Sequence, residues 1–145
     1  MPLVDLADET YVVADPEVVA AAVADPARWS VWWPDLVLTV REARGRKGVR
    51  WTVGGALVGS CEIWLEPVRD GVVVHYFLRA DLASRGGPAS PRRAERLRRA
   101  RTTAWKRSVN ALKDELEGSR PLGEPRAPAA SPPSRGPRGL PRRGG

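Results

Sequence analysis

The segment that decides the fold of this chain runs from Ser90 to Glu117 and reads SPRRAERLRRARTTAWKRSVNALKDELE. Ser90 is a typical N-cap residue, Pro91 suits the first turn of a helix, and Gly118 follows as a helix stop. No glycine or further proline interrupts the segment. The sequence therefore predicts one long helix of about 40 Å, roughly the width of a small domain.

One face of this predicted helix is apolar, because apolar side chains recur along it at three- and four-residue steps. The main stripe consists of Ala94, Leu97, Trp105, Val109, Leu112 and Leu116. The small residues that flank it are Ala100, Ala104, Ser108 and Ala111. Such a stripe must be buried against another layer, and small side chains would leave room between the two layers. The pattern thus indicates a cavity with space for a ligand.

The chain divides by composition into one domain and a tail. Residues 1–118 are predicted to form the domain, whereas residues 119–145 are mostly Pro, Gly, Arg, Ala and Ser and are predicted to be disordered. Cys61 is the only cysteine, so an internal disulfide is excluded. No segment has the length of a membrane span or the pattern of a signal peptide. We therefore expect a cytoplasmic protein.

The net charge of +7 is unevenly distributed along the chain. Residues 1–89 carry nine Arg and Lys against twelve Asp and Glu, residues 90–117 nine against four, and residues 118–145 six against one. The surplus therefore lies on the long helix and the tail, where it is explained either by an anionic partner or by a solvated surface. We favour the solvated surface and regard nucleic acid or membrane binding as the weaker explanation, because no exposed aromatic residues interleave with the arginines.

The N-terminal third predicts one strand followed by two short helices. Residues 8–14, DETYVVA, are rich in β-branched and aromatic side chains. Asp15-Pro16 and Asp25-Pro26 each provide an N-cap and a proline for the first helical turn. The second helix carries three tryptophans within five residues, Trp29, Trp32 and Trp33. These indoles either close one end of the core or also line the mouth of a cavity.

Residues 36–82 predict four strands in an antiparallel meander, with an Asp70-Gly71 turn in the last hairpin. The cross-strand pairs that this turn predicts are Glu66 with His75, Trp64 with Phe77 and Glu62 with Arg79. The other face is predicted to be apolar and to carry Cys61, Ile63, Leu65, Pro67, Val74, Tyr76, Leu78 and Ala80. In the preceding hairpin a three-residue loop, 54–56, is predicted to pair Val53 with Leu57, Trp51 with Gly59 and Val49 with Cys61. That loop keeps the second strand's apolar side chains on the same face.

The residues that most often carry chemistry are predicted not to converge. Cys61 and His75 fall on opposite faces of the hairpin, so they cannot form a nucleophile and base pair or share a metal ion. His75 is predicted to be a surface partner of Glu66, and Cys61 a small core residue. No glycine motif has the spacing of a phosphate-binding loop. The inward-facing candidates for an acid or base are Tyr76, Cys61, Ser108 and Arg101. We expect no metal and no cofactor.

The order of these elements, together with several local motifs, resembles the START-like, helix-grip superfamily (SRPBCC), and in particular its bacterial polyketide cyclase/dehydrase and lipid-transport group. The motifs are VVADPEVV at 12–19, DPARW at 25–29 with WP at 33–34, GS at 59–60, WLEP at 64–67 and DGVVV at 70–74. The resemblance covers residues 4–117. It implies an α+β fold in which a curved antiparallel sheet wraps around the long C-terminal helix, with two short helices between the first and second strands.

The resemblance also implies a hydrophobic cavity between sheet and helix that holds lipids, polyketides or quinones, and some relatives catalyse cyclisation there. The predicted meander has four strands, whereas larger relatives have six. A small or collapsed cavity is therefore an alternative to a spacious one. The predicted ligand-binding residues are Trp29, Trp33, Trp51, Ile63, Tyr76, Leu78, Arg101, Ala104, Trp105 and Ser108. The leading hypothesis is a carrier of a hydrophobic or aromatic small molecule. The alternatives are a polyketide cyclase or dehydratase acting in the same cavity, and a protein that binds an anionic partner through its basic helix start and tail.

Overall fold

A computed structural model describes residues 3–83 and 90–118 of the 145-residue chain. The predicted tail, 119–145, lies outside the described residues. The elements, in chain order, are β1 (Val4–Val12), α1 (Pro16–Val23), α2 (Pro26–Trp32), β2 (Leu36–Ala43), a 3-10 turn (Gly45–Lys47), β3 (Gly48–Gly55), β4 (Leu57–Val68), β5 (Gly71–Leu82) and α3 (Pro91–Glu117). The predicted first strand is placed too late, because β1 begins at Val4 and ends at Val12.

The strands form one curved antiparallel sheet in the order β1-β5-β4-β3-β2. The helices cover its inner face, with α3 against β1 and α1 against the middle strands. The outer face is open and carries mostly charged and aromatic side chains. The predicted α+β helix-grip architecture is therefore confirmed, with two short helices between the first and second strands. No helix in residues 3–83 or 90–118 is long and apolar enough to cross a bilayer.

The helix starts follow from local capping chemistry. The side chains of Asp15 and Asp25 accept hydrogen bonds from the backbone N–H groups of Glu17 and Ala27, at 2.8 and 3.0 Å. Ser90 Oγ accepts from the backbone N–H of Arg93 at 3.2 Å. Each cap is followed by a proline whose missing N–H would have no helical partner in any case. The three predicted helix starts are therefore confirmed.

The predicted register of the β4–β5 hairpin is wrong by two residues, although the predicted faces are right. The turn consists of Arg69 and Asp70, with Arg69 at a φ of 55°, and Val68 pairs with Gly71. The observed cross-strand pairs are Trp64 with His75, Glu62 with Phe77 and Ser60 with Arg79. Gly71 is needed for a close approach to β1, since a Cβ there would lie 2.4 Å from the carbonyl oxygen of Val12. The prediction assigned Gly71 to the turn, whereas this glycine belongs to β5 and allows close packing against β1.

The β3–β4 register is also displaced by two residues from the predicted one. Trp51 pairs with Cys61, and Val53 pairs with Gly59. Gly59 lies against β5, where an added Cβ would meet the carbonyl oxygen of Arg79 at 2.1 Å. The predicted pairing of Trp51 with Gly59 is therefore incorrect, and the missing side chain of Gly59 instead permits the close approach of β5. Both displacements are even, so every side chain stays on its predicted face.

The core lies between the inner face of the sheet and one side of α3. Trp105, Val109 and Leu112 are buried, as predicted, and Leu97 and Leu116 are partly buried against the same core. The small residues were predicted less well, because Ala100, Ala104 and Ala111 are exposed. At 3.6 residues per turn, Ala104 is rotated by about 100° from Trp105 and points away from the sheet. The space between the layers is therefore bounded by large aromatic side chains.

Candidate functional site

Four aromatic residues from four parts of the chain meet between the sheet and the helices. We call them the aromatic cluster: Trp33, which follows α2, Trp51 on β3, Tyr76 on β5 and Trp105 on α3. All four are buried, with exposed fractions of 3% or less. Tyr76 stacks on Trp105 with ring centroids 4.1 Å apart, and the rings of Trp33 and Trp105 are parallel within 3° at 6.0 Å. The cluster joins the two layers at the position where the sequence predicted a cavity.

The cluster contains polar atoms in an otherwise apolar environment. Trp33 Nε1 donates a hydrogen bond to the Tyr76 hydroxyl at 3.2 Å. The Cys61 side chain also hydrogen-bonds to the Tyr76 side chain. Burial raises the pKa of the Tyr76 phenol well above its usual value, and it also raises the pKa of the Cys61 thiol. Both groups are therefore neutral at physiological pH, and Tyr76 can act as a hydrogen-bond donor but not as a phenolate.

Two further tryptophans border the cluster. Trp29 on α2 is partly buried, and its ring meets that of Trp51 edge-on with centroids 5.2 Å apart. Its Nε1 donates to the carbonyl oxygen of Val23 at 2.7 Å. Trp32 lies edge-on to both Trp33 and Trp105. The tryptophan-rich segment predicted from the sequence therefore closes the core beside α3.

The other predicted ligand-binding residues are brought together only in part. Ile63 and Leu78 are fully buried on the inner sheet face, close to the cluster in the β4–β5 ladder. Arg101 lies at the edge and makes a two-point ion pair with Asp35, at 3.0 and 2.7 Å. Ala104 is exposed on the far side of α3, and Ser108 faces the groove between α2 and α3. The placement of these last two residues between the layers is therefore corrected.

The structure adds Asp8, which the sequence reasoning missed. Asp8 lies on the inner face of β1, opposite Tyr76, and its side chain is 12% exposed. It accepts hydrogen bonds from Trp105 Nε1 and Thr10 Oγ1, both at 3.1 Å, and it pairs with Lys106 Nζ at 2.8 Å. Asp8 lies at steps of two residues from Val4, Leu6 and Val12 along β1, and this shared phase is a sequence signal that marks an inward-facing carboxylate.

The outer face of the sheet holds a second, separate group of aromatic residues. His75 is stacked on Trp64 with ring centroids 4.3 Å apart, and it parallels the ring of Phe77. His75 Nε2 is 2.9 Å from Glu66 Oε1, so the predicted contact between these two side chains is confirmed. The two residues are diagonal neighbours on β4 and β5, whereas the prediction placed them directly opposite each other. The prediction of a surface histidine is wrong, because the neighbouring rings leave His75 only 7% exposed. Cys61 faces the inner side and does not meet it.

Two surface grooves flank the domain. A groove of about 480 Å³ lies between α2 and α3 and is lined by Val31, Trp32 and Leu112, with Arg28 and Glu115 at its rim. A depression of about 370 Å³ lies on the outer sheet face. Its lining includes Arg41, Arg50, Phe77 and Arg79. Within residues 3–83 and 90–118, no three or more His, Cys, Asp or Glu side chains are grouped in a way that could hold a metal ion.

The fold of this chain is identified by comparison with solved structures and not by comparison of sequences. No protein-family model matches the chain, and no curated protein sequence matches it significantly. Among solved structures, the Aha1 dimer from Colwellia psychrerythraea is 19% identical, with a TM-score of 0.56 over 81% of this chain and 99% of that one. The Polyketide_cyc-like protein Cgl2372 from Corynebacterium glutamicum is 18% identical, with a TM-score of 0.56 over 82% and 94%.

A START superfamily protein from Mycobacterium smegmatis is similar over the same region. It is 12% identical, with a TM-score of 0.53 over 80% of this chain and 99% of that one. These likenesses confirm at the level of the fold the resemblance seen in the sequence. The chain has the START-like helix-grip fold, and its function has to be argued from its own residues.

Proposed function

We propose that this protein binds a flat hydrophobic or aromatic small molecule between the inner sheet face and α3. The observation that supports this most is the aromatic cluster, in which buried rings surround the polar atoms of Trp51, Cys61 and Tyr76. Ligand sites in proteins combine such apolar walls with a few orienting polar groups. The START-like fold of the chain supports the same location, since relatives of this fold include START and polyketide-cyclase-like proteins.

We expect the ligand to enter where side chains of the aromatic cluster separate, while the strands stay paired. Trp33 lies between α2 and β2, where its side chain donates one hydrogen bond to Tyr76 of the sheet. A shift of Trp33 away from Trp105 would open space between two parallel rings without breaking a strand pair. The Arg101–Asp35 ion pair connects α3 to the segment just after Trp33, so it would resist this opening.

Tryptophan fluorescence tests the proposal directly. We expect saturable quenching or enhancement at one ligand per protein with flat aromatic compounds of two or three rings. Trp33→Phe should weaken binding several-fold, because it changes a ring of the proposed site. Trp64→Phe is the matched control, since it removes an indole from the outer face and should leave the affinity unchanged. The proposal is abandoned if fatty acids, quinones and polycyclic aromatics all leave the spectrum and the melting temperature unchanged.

A second candidate is a cyclase or dehydratase that acts in the same place. The observation that favours it is the Tyr76 hydroxyl, a neutral phenol within the apolar core that could donate a proton or hydrogen bond to a bound carbonyl. We expect Tyr76→Phe to lower turnover of a poly-β-ketone substrate by about 10²-fold or more if Tyr76 is the acid. Equal turnover by the two proteins would remove Tyr76 from this role.

A third candidate is binding of an anionic partner by the basic face of α3. Arg92, Arg93 and Arg96 are exposed and make no ion pair with any residue that the structure describes. Replacing these three by Gln should weaken binding to DNA, RNA or anionic vesicles and reduce its salt dependence. Arg98→Gln is the control, because Arg98 already pairs with Glu95 at 2.7 Å. Deletion of residues 119–145 measures the contribution of the tail separately.

A further inference from the structure

One hydrogen-bond donor in the aromatic cluster has no acceptor. The side chain of Trp51 is completely buried, and its Nε1 has no hydrogen-bond partner among the described residues. The neighbouring indoles are satisfied, since Trp29 Nε1 donates to Val23, Trp33 Nε1 to Tyr76, and Trp105 Nε1 to Asp8. Leaving a buried donor without a partner costs about 1–3 kcal/mol. Such a cost at the centre of the aromatic cluster points to a partner outside the described residues, and a bound ligand is the one that fits these surroundings.

The surroundings of Trp51 determine what that partner can be. An indole N–H only donates, so the missing group must be an acceptor. The rings of Trp29 and Trp33 meet Trp51 edge-on, with centroids 5.2 and 5.3 Å away, so the neighbouring space is bounded by aromatic surfaces. Cys61 lies directly across the strand pair from Trp51 and faces the same inner layer. An apolar, flat body fits these neighbours.

The charge of the ligand is limited by the same environment. Trp51 is fully buried, and its neighbours on the inner face of β3, Val49 and Val53, are uncharged. Arg50 lies beside it in the chain, but its side chain is on the outer face with Glu42 and Glu62. A carboxylate at Trp51 would lose its hydration without gaining a counter-ion. The acceptor is therefore an uncharged oxygen.

We propose that Trp51 Nε1 donates a hydrogen bond to an uncharged carbonyl oxygen on a planar aromatic ligand, such as an aryl ketone or a quinone. This inference rests on the proposed function, and it makes Trp51 a residue that determines specificity. Trp51 selects compounds with a ring carbonyl over hydrocarbons of the same shape. The Tyr76 hydroxyl and the Cys61 thiol, which lie in the same inner layer, are neutral groups compatible with such a ligand.

A matched pair of ligands tests this selectivity. Fluorenone and fluorene have the same fused-ring outline and differ in a carbonyl group in place of a methylene. We expect the wild-type protein to bind fluorenone about 5- to 10-fold more tightly, which is the range of one net hydrogen bond. Trp51→Phe should abolish this preference. Trp64→Phe is the control, because it removes an indole from the outer face, away from the proposed site, and it should retain the preference.

The outcomes separate this inference from the proposed function. If both compounds bind equally to the wild-type protein, or if Trp51→Phe keeps the preference for fluorenone, the inference is wrong and the carrier function stands. If neither compound binds, the inference is overturned, and the carrier function is then decided by the fatty acids, quinones and polycyclic aromatics of the fluorescence test. A second readout does not depend on a variant: the indole N–H resonance of Trp51 in ¹⁵N-labelled protein should move downfield with fluorenone and not with fluorene. A resonance that responds equally to both, as expected for an N–H satisfied by water or a ring face, contradicts the assignment.

Discussion

At the scale of single residues, the interior of this protein depends on neutral polar groups held among rings. Tyr76 combines a ring stacked on Trp105 with a hydroxyl that accepts from Trp33. Cys61 supplies a thiol beside it. Because burial disfavours their charged forms, both groups stay protonated far above their usual pKa values. In the proposed function they would orient a ligand by hydrogen bonds, and as neutral groups they are poor nucleophiles.

The ionisation of Tyr76 can be measured, since Tyr11 is the only other tyrosine. We expect the Tyr76 phenol to ionise only as the protein unfolds in alkali. The raised pKa of Tyr76 stabilises the fold fully below about pH 10, and this contribution is lost as the pH rises above that value. Absorbance at 295 nm followed together with circular dichroism provides the test. Two phenols titrating before unfolding would contradict the burial of Tyr76.

At the scale of elements, α3 is attached to β1 by a small number of polar contacts on the inner face. Asp8 accepts hydrogen bonds from Trp105 Nε1 on α3 and from Thr10 Oγ1 on its own strand, and it forms an ion pair with Lys106 on α3. Farther along the helix, Lys113 Nζ donates to the carbonyl oxygen of Tyr11 at 2.7 Å. These contacts position Trp105 against Tyr76, and so they determine how the aromatic cluster is assembled.

Asp8 and Asp5 offer a matched comparison on one strand. Asp8→Ala should lower the free energy of unfolding by about 2–3 kcal/mol, because it leaves the buried Trp105 N–H without its acceptor and removes the ion pair with Lys106. Asp5→Ala should change it by less than about 0.5 kcal/mol, since Asp5 is exposed and its ion pair with Arg79 is 3.7 Å long. Urea unfolding measures both. Equal effects would show that Asp8 does not anchor the helix.

The ion pair between α3 and the segment after α2 predicts a pH dependence. The hydrogen bonds from Arg101 hold the pKa of Asp35 below its usual value. The resulting stabilisation is present above about pH 4 and disappears as the pH falls through the lowered pKa. Asp35→Asn should therefore cost about 0.5–1 kcal/mol at pH 7 and nothing near pH 2.

Asp114→Asn serves as the control for this prediction, because Asp114 is exposed and makes no ion pair among the described residues. It should have no effect at either pH. A cost of Asp35→Asn that persists at low pH would indicate a packing effect rather than an ionic one. If the ion pair also resists opening of the aromatic cluster, the same variant should speed the association of aromatic ligands.

At the scale of the whole molecule, the two layers are joined through aromatic contacts rather than separated by an alanine-lined gap. Trp105 contacts the sheet through Tyr76 and the helical segment through Trp32 and Trp33. The small helix residues that suggested a spacious cavity point outward instead. In this structure, a ligand site between the layers therefore depends on side-chain movement within the cluster.

Trp105→Ala should lower the free energy of unfolding by about 3–5 kcal/mol, as expected for a buried aromatic residue at the centre of a core. Trp64→Ala removes the same side chain from the half-buried outer face and should cost about 1–2 kcal/mol. Chemical denaturation of both variants gives the comparison. A similar cost for the two would mean that the outer-face stack with His75 contributes as much as the inner cluster does.

The sequence by itself determined the order of the elements, the helix starts and the face of the sheet on which each strand residue lies. Capping at Asp15, Asp25 and Ser90 is local chemistry, and alternation along a strand has a period of two. A displacement by two residues preserves that alternation, so only the tertiary structure decided the hairpin registers, through the close approach of neighbouring strands at Gly59 and Gly71. It also decided that Ala100, Ala104 and Ala111 on α3 are exposed, and it brought Asp8 and Asp35 to their partners on α3. These contacts join residues more than 60 positions apart in the chain, and no local pattern specifies them.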